Sequence, residues 1–477
     1  GGFVIARGKL SRLVPIENAA MPDRSVIQWD KDDLDAVGLL KVDVLALGML
    51  SAIHRALDLV SEQRGEVFEL QDIPAEDPET YEMLCRADSV GVFQVESRAQ
   101  MSMLPRLRPQ TFYDLVIEVA IVRPGPVQGG MVHPYLRRRQ GKEPVSYPSP
   151  EMEVALSRTL GVPIFQEQVM QVAMLAAGFS AGEADQLRRA MAAWKRKGGL
   201  ERYYDRIVSG MLERGYEREF AESIFQQIQG FGEYGFPESH AASFALLVYA
   251  SAWLKCHEPA AFLCALLNSQ PMGFYSPSQL VQDAKRHGVT VLPADVAVSG
   301  WDSSLESNET GPRVRLGLSL VRGMREESAR RIETCRAVRN FDSVTDLARR
   351  AELDRHDMQV LAASDALRTL SGNRRQALWE ASAAVPDKDL LKVADLAEES
   401  PALVPPTEGE TILGDYRSMG LTLQRHPLAL LRRQLASRRF ETAATLASYA
   451  DRQLARGAGI VTVRQRPGTA KGVLFLT

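Results

Sequence analysis

Two charged residues on one strand-like segment have a spacing that suits a metal and phosphate site. In residues 39–45, Lys41 and Asp43 alternate with apolar residues, and side chains along a strand point alternately to its two faces. Mg²⁺ prefers carboxylates together with substrate phosphate oxygens, and lysine binds phosphate as a point charge. The pair therefore fits a site that holds Mg²⁺ and a triphosphate together. An exposed strand face carrying an ion pair would show the same pattern.

Basic residues cluster on a predicted helix further along the chain. Within ten residues stand Arg188, Arg189, Lys195, Arg196 and Lys197. Positions 188, 195 and 196 fall near one helix face, where they could neutralise the phosphates of a nucleotide or of a DNA backbone. Residues 137–139, all arginine, form a second basic patch. A solvated helix face is the alternative for both clusters.

A glycine-rich aromatic segment, residues 230–240, is a third candidate. Its glycines are interleaved with aromatic residues, among them Tyr234 and Phe236, and it ends at His240. Glycines make a backbone costly to order unless it turns tightly or approaches a ligand. A nucleobase could stack on one of these rings. A corner between two helices, packed with aromatic rings, is the alternative.

Residues 178–182 match the G-x-S-x-G pattern of hydrolase nucleophile elbows. That elbow needs a strand before its serine, whereas residues 166–177 have helical periodicity and are followed by Gly178, a common helix C-cap. Ser180 and Glu183 fit a capping box that opens the next helix. We therefore predict that Ser180 is a helix N-cap, and we keep a hydrolase only as a third, competing function.

The bulk composition is that of an ordinary globular protein. The chain is 45% hydrophobic and 25% charged with a net charge of −3, so any nucleic-acid site must come from local clusters of basic residues. The four cysteines form no CxxC pair and have no zinc spacing, as expected for a reducing cytoplasm. Cys256, His257 and Cys264 lie in an apolar helical stretch and are predicted to pack in a core. No apolar run reaches 18 residues, so no membrane segment is predicted.

The elements that must position these residues are mostly helical. A helix from about residue 48 to 61 follows the strand of Lys41, and residues 63–270 are helical with breaks at proline and glycine, including a helix over 243–254. Residues 271–383 alternate short strands and helices. An acidic, proline-containing stretch then predicts a linker, and strands return from about residue 440. Both ends fall inside strand-like runs, so we expect a piece of a longer protein.

Several long motifs in order make the sequence resemble the alpha subunit of bacterial DNA polymerase III and its C-family relatives, over essentially the whole chain. The motifs are Phe-Gln-Val-Glu-Ser-Arg (93–98), Arg-Pro-Gly-Pro (123–126), Phe-Gln-Glu-Gln-Val-Met (165–170), Leu-Arg-Arg-Ala-Met (187–191) and Tyr-Gly-Phe-Pro-Glu-Ser-His (234–240). Residues 41–48 and 267–275 resemble the error-prone, damage-inducible branch. No glutamine occurs between Gln376 and Gln424, so the clamp-binding segment of replicative relatives is not expected.

The resemblance implies roles for individual residues. Asp43 matches the third of three aspartates that hold two Mg²⁺ ions about 4 Å apart in a nucleotidyltransferase-type palm; the other two would lie upstream of residue 1. Lys41, Arg188 and Arg189 match contacts to the incoming triphosphate, and His240 matches a position near the nucleotide sugar. The basic residues 195–197 are expected to face DNA.

The resemblance also implies an α+β, mostly helical fold with five regions. These are the C-terminal part of the palm (1–62), helical fingers (63–270), a tandem helix-hairpin-helix domain (271–383), a linker region (384–440) and the start of an OB fold (441–477). Hairpins of this type offer backbone N–H groups to DNA phosphate. Gly323 matches that pattern, but Arg325 stands where a second glycine is expected, and we predict that it contacts DNA through its charge.

The implied function is error-prone, DNA-directed DNA synthesis across lesions during DNA repair. The expected partners are primer–template DNA, dNTP, Mg²⁺ and an accessory translesion protein that links the polymerase to the sliding clamp, all in the cytoplasm. With one of three metal-binding aspartates, the chain alone is expected to be inactive. A non-catalytic DNA-binding or adaptor module is the alternative, and it would bind DNA without incorporating nucleotide.

Overall fold

The chain folds into two compact units, each with its own core. The computed structural model describes residues 2–19, 24–44, 46–122, 129–147, 149–197, 203–232, 236–309, 311–384, 401–466 and 472–476. The first unit comprises Gly1–Glu258 with Ser269–Phe274, and the second comprises Pro259–Asn268 with Tyr275–Thr477. The sequence placed the corresponding boundary at residue 270. The mostly helical α+β class predicted from the sequence is confirmed.

The described part of the first unit is mostly helical and contains two short antiparallel strand pairs. Its strands are β1 (Gly2–Ile5), β2 (Ile16–Asn18), β3 (Ser25–Ile27) and β4 (Leu40–Asp43). Its helices are α1 (Lys31–Val37), α2 (Leu47–Arg64), α3 (Pro78–Cys85), α4 (Arg98–Leu107), α5 (Phe112–Ile121), α6 (Gly129–Arg139), α7 (Pro150–Leu156), α8 (Gln166–Ala177), α9 (Ala181–Lys197), α10 (Tyr204–Glu213), α11 (Arg218–Gly232) and α12 (Glu238–His257).

Local sequence signals set the junction between α8 and α9. Gly178 ends α8 in the left-handed conformation, with φ of 71°. The Ser180 amide and hydroxyl donate to Glu183 at 2.7 and 2.9 Å, and the Glu183 amide donates back to the Ser180 hydroxyl at 3.3 Å. The predicted capping box is therefore confirmed. A helix precedes Ser180, and the Ser180 side chain takes part in the capping box. Ser180 therefore does not occupy a nucleophile elbow.

Two apolar clusters hold the first unit together. In one of them α5 packs against α12, whose Ala241, Ala245 and Ala252 are fully buried. These alanines share one helix face by their spacing, and their small size lets α5 approach closely. The other cluster joins α7 to α11 and contains the apolar face of α9. The two clusters fix α9 and α12, the helices that carry the predicted nucleotide-binding residues.

The second unit begins with two helices and a small mixed sheet. Its elements are α13 (Pro259–Asn268), α14 (Pro277–Arg286), β5 (Val291–Leu292), β6 (Ser304–Glu306), β7 (Arg313–Arg315), α15 (Glu326–Val338), α16 (Val344–Arg350), α17 (Arg355–Ala363), α18 (Arg368–Ser371), α19 (Arg374–Ala383), α20 (Glu408–Ser418), α21 (Pro427–Leu430), α22 (Arg432–Ser437), α23 (Ala443–Ala447), β8 (Arg464–Gln465) and β9 (Phe475–Leu476). Strand β7 pairs in parallel with β5 and antiparallel with β6. Of the three residues predicted to pack in a core, Cys264 on α13 is fully buried, whereas Cys256 and His257 of the first unit are only partly buried.

The structure differs from the sequence prediction over much of the predicted linker, 384–440. Residues 385–400 lie outside the described part, but α20, α21 and α22 occupy much of the remainder. Helix α20 opens with a capping box between Thr407 and Glu410, and Arg374 of α19 donates to the Thr411 carbonyl at 2.8 Å and pairs with Asp415. Ile412 is 2% exposed. A buried arginine and a buried isoleucine bind this segment to the hairpin helices.

The described part of the C-terminal segment, residues 441–466 and 472–476, contains one short strand pair. Strand β8 pairs antiparallel with β9, joining Arg464 to Leu476 and Gln465 to Phe475, and residues 460–463 form no strand. The start of an OB fold over 441–477 stays a prediction. Phe475 and Leu476 are exposed. None of the described helices is both long and apolar enough to span a membrane.

Candidate nucleotide and nucleic-acid site

The arginine pair of α9 stands at the edge of a buried helix face. Ala184, Leu187 and Met191 are buried in the core of the first unit. Arg188 and Arg189 follow on the adjoining surface, with 39% and 74% of their side chains exposed. The core thus fixes the backbone of the pair while both guanidinium groups remain accessible to an anion.

Asp185 joins the two guanidinium groups. Its Oδ1 accepts from Nε and an NH2 group of Arg188 at 3.0 and 2.9 Å, and its Oδ2 accepts from Nε of Arg189 at 2.8 Å. These bonds, from Arg188 first, lower the pKa of Asp185. One carboxylate therefore holds two like charges side by side. Asp185 was not among the site residues predicted from the sequence, although its spacing of three and four residues from the arginines is the signal of such pairs.

The remaining basic residues of the predicted cluster are only partly described. Lys195, Arg196 and Lys197 belong to the last turn of α9, and their side chains lie outside the described part of the structure. Their expected contact with DNA stays a prediction.

Strand β4 carries the predicted metal and phosphate residues. It pairs antiparallel with β1, which places Asp43 opposite Gly2 and Lys41 opposite Val4. Leu40 is exposed on this strand, and Lys41 is exposed too. The side chain of Asp43 lies outside the described part, so its role as a metal ligand stays a prediction. Its cross-strand partner, Gly2, has no side chain.

The N-terminus of α12 is where several of the sequence motifs meet. The Gln166 amide donates to the Phe236 carbonyl at 3.1 Å, in a parallel bridge between Phe165 and Phe236. The Glu238 amide donates to Glu167 at 2.9 Å. The segment 165–170 is therefore in direct contact with residues 236–238 of the segment 234–240. Residues 233–235 lie outside the described part.

Glu238 ties this helix start to α5 and to the loop after α7. Its Oε1 accepts from the Tyr113 hydroxyl at 2.8 Å and from Arg158 at 3.1 Å. The Arg158 guanidinium also lies over the Tyr113 ring, 3.8 Å from its centroid. These contacts fix the backbone on which His240 stands. No local sequence signal predicts these contacts, because the three residues are far apart along the chain.

His240 belongs to a row of rings. Its imidazole lies 5.1 Å from the Phe236 ring and 4.4 Å from the Phe244 ring, and Phe244 in turn lies 5.2 Å from Phe93. The row connects the 93–98 motif to the 234–240 motif. His240 is partly exposed. The aromatic packing that we kept as an alternative for this segment is present at Phe236, and the role of His240 near a nucleotide sugar stays a prediction.

The segments that resemble the error-prone branch also meet in the first unit. A Cβ at Gly48 would lie 3.3 Å from Met272 Cβ, and one at Gly273 would lie 3.6 Å from a carboxylate oxygen of Glu96. Glu96 is buried, and burial raises its pKa to about 7. The start of α2, the 93–98 motif and residues 269–274 therefore form one contact region. The Arg-Pro-Gly-Pro motif, 123–126, lies outside the described residues.

The second basic patch has partners within the protein. Arg137 and Arg138 both pair with Glu143, at 3.0 and 3.1 Å, and Arg138 donates to the Leu160 carbonyl at 2.7 Å. Arg139 pairs with Asp114 at 2.8 Å. These contacts join the end of α6 to α5 and to the loop before α8. A structural role accounts for this patch better than a phosphate-binding face.

Gly323 and Arg325 have different surroundings in the first hairpin of the second unit. Gly323 is exposed with φ of 84°, and its amide has no acceptor among the described residues. Its carbonyl contacts His356 Nε2 at 3.0 Å. A free, exposed amide in a conformation that favours glycine suits contact with a phosphate.

Arg325 was predicted to contact DNA through its charge, but in the structure its guanidinium binds two carboxylates. Its guanidinium donates to Asp357 at 3.1 and 2.7 Å and to Asp354 at 2.5 Å. The hydrogen bonds that Arg325 donates to the Asp357 and Asp354 carboxylates raise the pKa of Arg325. Asp357 is fully buried and also accepts from the Ser328 hydroxyl at 2.8 Å. The arginine thus links α15 to α17 in place of the expected glycine, and its charge is neutralised internally.

Comparisons with known proteins agree with this arrangement. Family models described as "Bacterial DNA polymerase III alpha NTPase domain", "Bacterial DNA polymerase III alpha subunit finger domain" and "Helix-hairpin-helix motif" match residues 1–46, 49–215 and 288–377. A relative named "Error-prone DNA polymerase" from Bordetella bronchiseptica is 67% identical over 480 residues, which cover 100% of this chain and 46% of the relative. The chain belongs to the bacterial C-family DNA polymerases, in their error-prone branch.

Other error-prone polymerases show similar agreement. The relative from Burkholderia pseudomallei is 64% identical over 495 residues, and that from Methylococcus capsulatus is 60% identical over 496 residues. Both alignments cover 100% of this chain, with 46% and 47% of the relative. The chain therefore spans about half the length of the C-family relatives it matches. Strand β4 falls in the NTPase match, α9 in the finger match and Arg325 in the hairpin match.

Proposed function

We propose that this chain is part of an error-prone DNA-directed DNA polymerase, which transfers dNMP from dNTP to a primer 3′-hydroxyl under the direction of a template. The observation that carries the proposal is the placement of the arginine pair: Asp185 holds Arg188 and Arg189 side by side on the exposed edge of α9, within the finger match. Two adjacent guanidinium groups suit a triphosphate, since each can donate to phosphate oxygens.

Asp43 is proposed as a metal ligand of the palm. Its carboxylate is the hard oxygen donor that Mg²⁺ prefers, and it stands opposite a glycine of β1. The Mg²⁺ ions, when bound, supply Lewis-acid activation of the primer hydroxyl and of the leaving pyrophosphate. A single carboxylate does not hold two ions, so further ligands are expected from residues outside this chain. Lys41 is proposed to contact the triphosphate as a cation.

Contacts to the rest of the substrate follow from the second unit and from the end of α9. Gly323, with its exposed amide, is proposed to bind a DNA phosphate, and Lys195, Arg196 and Lys197 are proposed to face the DNA backbone. Arg325 is proposed to act by holding Gly323 in place rather than by touching DNA. His240 is proposed to lie near the nucleotide sugar.

The biological setting belongs to the same proposal. The full-length protein is proposed to carry out translesion synthesis in DNA repair, in the cytoplasm, with an accessory translesion protein that links it to the sliding clamp. The 477-residue chain alone is proposed to bind DNA without incorporating nucleotide. In that respect the alternative, a non-catalytic DNA-binding module, describes the isolated chain, and the exposed hairpin amide of Gly323 favours it.

The arginine pair is tested by binding measurements on the chain itself. Fluorescent primer–template DNA and a fluorescent dNTP are titrated across a salt series with the parent chain, with Arg188→Ala/Arg189→Ala and with Arg218→Ala. Arg218 is an exposed arginine of α11 that pairs with Glu222 at 3.8 Å and serves as the matched control.

We expect DNA affinity to fall steeply with salt, because phosphate contacts release counterions. The double variant should lose at least about tenfold in dNTP affinity, the effect of roughly one charge-assisted bond, while its DNA affinity and the Arg218→Ala variant stay close to the parent. Unchanged dNTP affinity in the double variant would contradict the nucleotide role. A loss confined to DNA would place α9 on the DNA instead.

A further inference from the structure

A second cluster of side chains in the first unit has the donors of a transition-metal site. Glu79, Cys256 and His257 each offer one ligand atom, and these atoms all lie within 4.8 Å of one another. They come from two elements that are distant in sequence, the first turn of α3 and the last turn of α12. The cluster is separate from β4 and α9, and the proposed polymerase function does not use it.

The donor types define the kind of ion. A thiolate, an imidazole and a carboxylate together are the ligands that proteins use for Zn²⁺ and similar ions, with bonds of about 2.0–2.3 Å. Ligand atoms around a tetrahedral ion are then about 3.5 Å apart. Small side-chain rotations would bring the three ligand atoms from their present separations to this distance. Hard ions such as Mg²⁺ are disfavoured, because they prefer an all-oxygen set.

The imidazole of His257 has a carboxylate on one of its two ring nitrogens. Its Nε2 lies 2.8 Å from Asp77 Oδ2, while its Nδ1 has no hydrogen-bond partner among the residues that the structure describes. Asp77 is itself fixed, because it caps α3 and accepts from the amide and the hydroxyl of Thr80 at 2.8 and 2.7 Å. A carboxylate on one ring nitrogen holds the proton there and leaves the lone pair on the other.

The surroundings of the cluster favour a cation. Cys256 and His257 end α12, where the helix dipole is negative. The Glu79 carboxylate stands beside the thiol and the imidazole, and the Asp77 carboxylate contacts the imidazole. Both carboxylates add negative charge at this position.

We propose that Glu79, Cys256 and His257 bind a zinc-type divalent cation, with Asp77 orienting the imidazole and water completing the coordination. The ion would fasten the start of α3 to the end of α12. The geometry points to a structural metal rather than a catalytic one, since both helix ends lie outside the α9 and β4 sites.

The test uses Co²⁺ alone as the probe, because a cobalt–thiolate bond gives an absorption band that other ligands do not. The metal-free, untagged 477-residue chain is titrated with Co²⁺, and bound Co²⁺ is then displaced with Zn²⁺. We compare the parent with Cys256→Ser, Glu79→Gln and Asp77→Asn. Cys85→Ser is the control, since Cys85 is a partly buried cysteine at the end of α3 whose Sγ donates to the Pro109 carbonyl.

The parent and Cys85→Ser should show the thiolate band and release the metal to Zn²⁺. Cys256→Ser should lose the band, and Glu79→Gln and Asp77→Asn should keep it with affinity at least about tenfold weaker. Absence of the band in the parent would overturn the proposal, as would a band that persists in Cys256→Ser. Glu79 is exposed, so Glu79→Gln should fold normally, and an unchanged affinity in that variant would also overturn the three-ligand site.

Discussion

Glu118 is a buried carboxyl group in α5 whose ionisation should oppose folding. Its side chain is 0% exposed, and neither carboxylate oxygen has a hydrogen-bond partner among the described residues. Burial raises its pKa from the ordinary value of 4.5 to about 8. This burial could not be predicted from the sequence, because a glutamate in a helix is ordinarily exposed. We therefore expect Glu118→Gln to stabilise the protein at neutral pH.

The size of the effect follows from the difference between the folded and unfolded proteins. The pKa of Glu118 is higher in the folded protein than in the unfolded chain. The contribution of its protonated carboxyl group to the free energy of unfolding is therefore fully present below about pH 4.5 and is lost as pH rises through about 8. Within this window each pH unit costs the parent about 1.4 kcal/mol relative to glutamine, which does not ionise. From about pH 5.5 to about pH 7.5 the free energy of unfolding of Glu118→Gln should gain about 2–3 kcal/mol on the parent.

Urea unfolding at these two pH values measures the effect. Comparing the variant with the parent removes the contribution of the other titrating groups, and Glu62→Gln, an exposed position on α2, is the matched control. The control should show the same pH dependence as the parent. Parallel pH profiles for Glu118→Gln and the parent would refute the reasoning, because they would mean that Glu118 is ionised in the folded protein at no cost.

Two further substitutions test the packing around the sites. Arg325→Ala should lower the melting temperature of the second unit by several degrees, because buried Asp357 loses its guanidinium partner. Arg330 is equally half-exposed, and the control Arg330→Ala should have little effect. An unchanged melting temperature with lost DNA affinity in Arg325→Ala would instead place Arg325 on DNA. Gly210→Ala should destabilise by about 1–3 kcal/mol, since its Cβ would strike the last carbonyl of α8. Gly182→Ala, where the Cβ meets nothing within 4 Å, should stabilise by about 0.5–1 kcal/mol; urea unfolding with equal effects at both glycines would contradict this.

Local signals made much of the fold predictable. The helix before Gly178 and the capping box at Ser180 depend on residues within four positions of one another, so the sequence alone specifies them. The strand of Lys41 likewise follows from alternation over a few residues. These elements agree with the structure, and they carry the predicted arginines and the predicted aspartate.

Interactions between distant residues could not be predicted in the same way. Arg325 pairs with Asp357, 32 residues away, and no local rule identifies that partner. Helix α20 looked like a linker because it follows an acidic, proline-containing stretch, and its anchor, Arg374, is 37 residues away from the Thr411 carbonyl that it contacts. Asp185 was within reach of sequence reasoning, since helical spacing alone brings it to both arginines.

Single-nucleotide extension of a primer tests the central claim most directly. The full-length protein, its Asp43→Asn variant and the 477-residue chain are compared with Mg²⁺ and dNTP, and Asp58→Asn, an exposed aspartate on α2, is the control. We predict that the full-length protein and Asp58→Asn extend the primer, that Asp43→Asn falls to background while still binding DNA, and that the chain alone binds DNA without extending the primer. Extension by Asp43→Asn, or by the chain alone, would contradict the account.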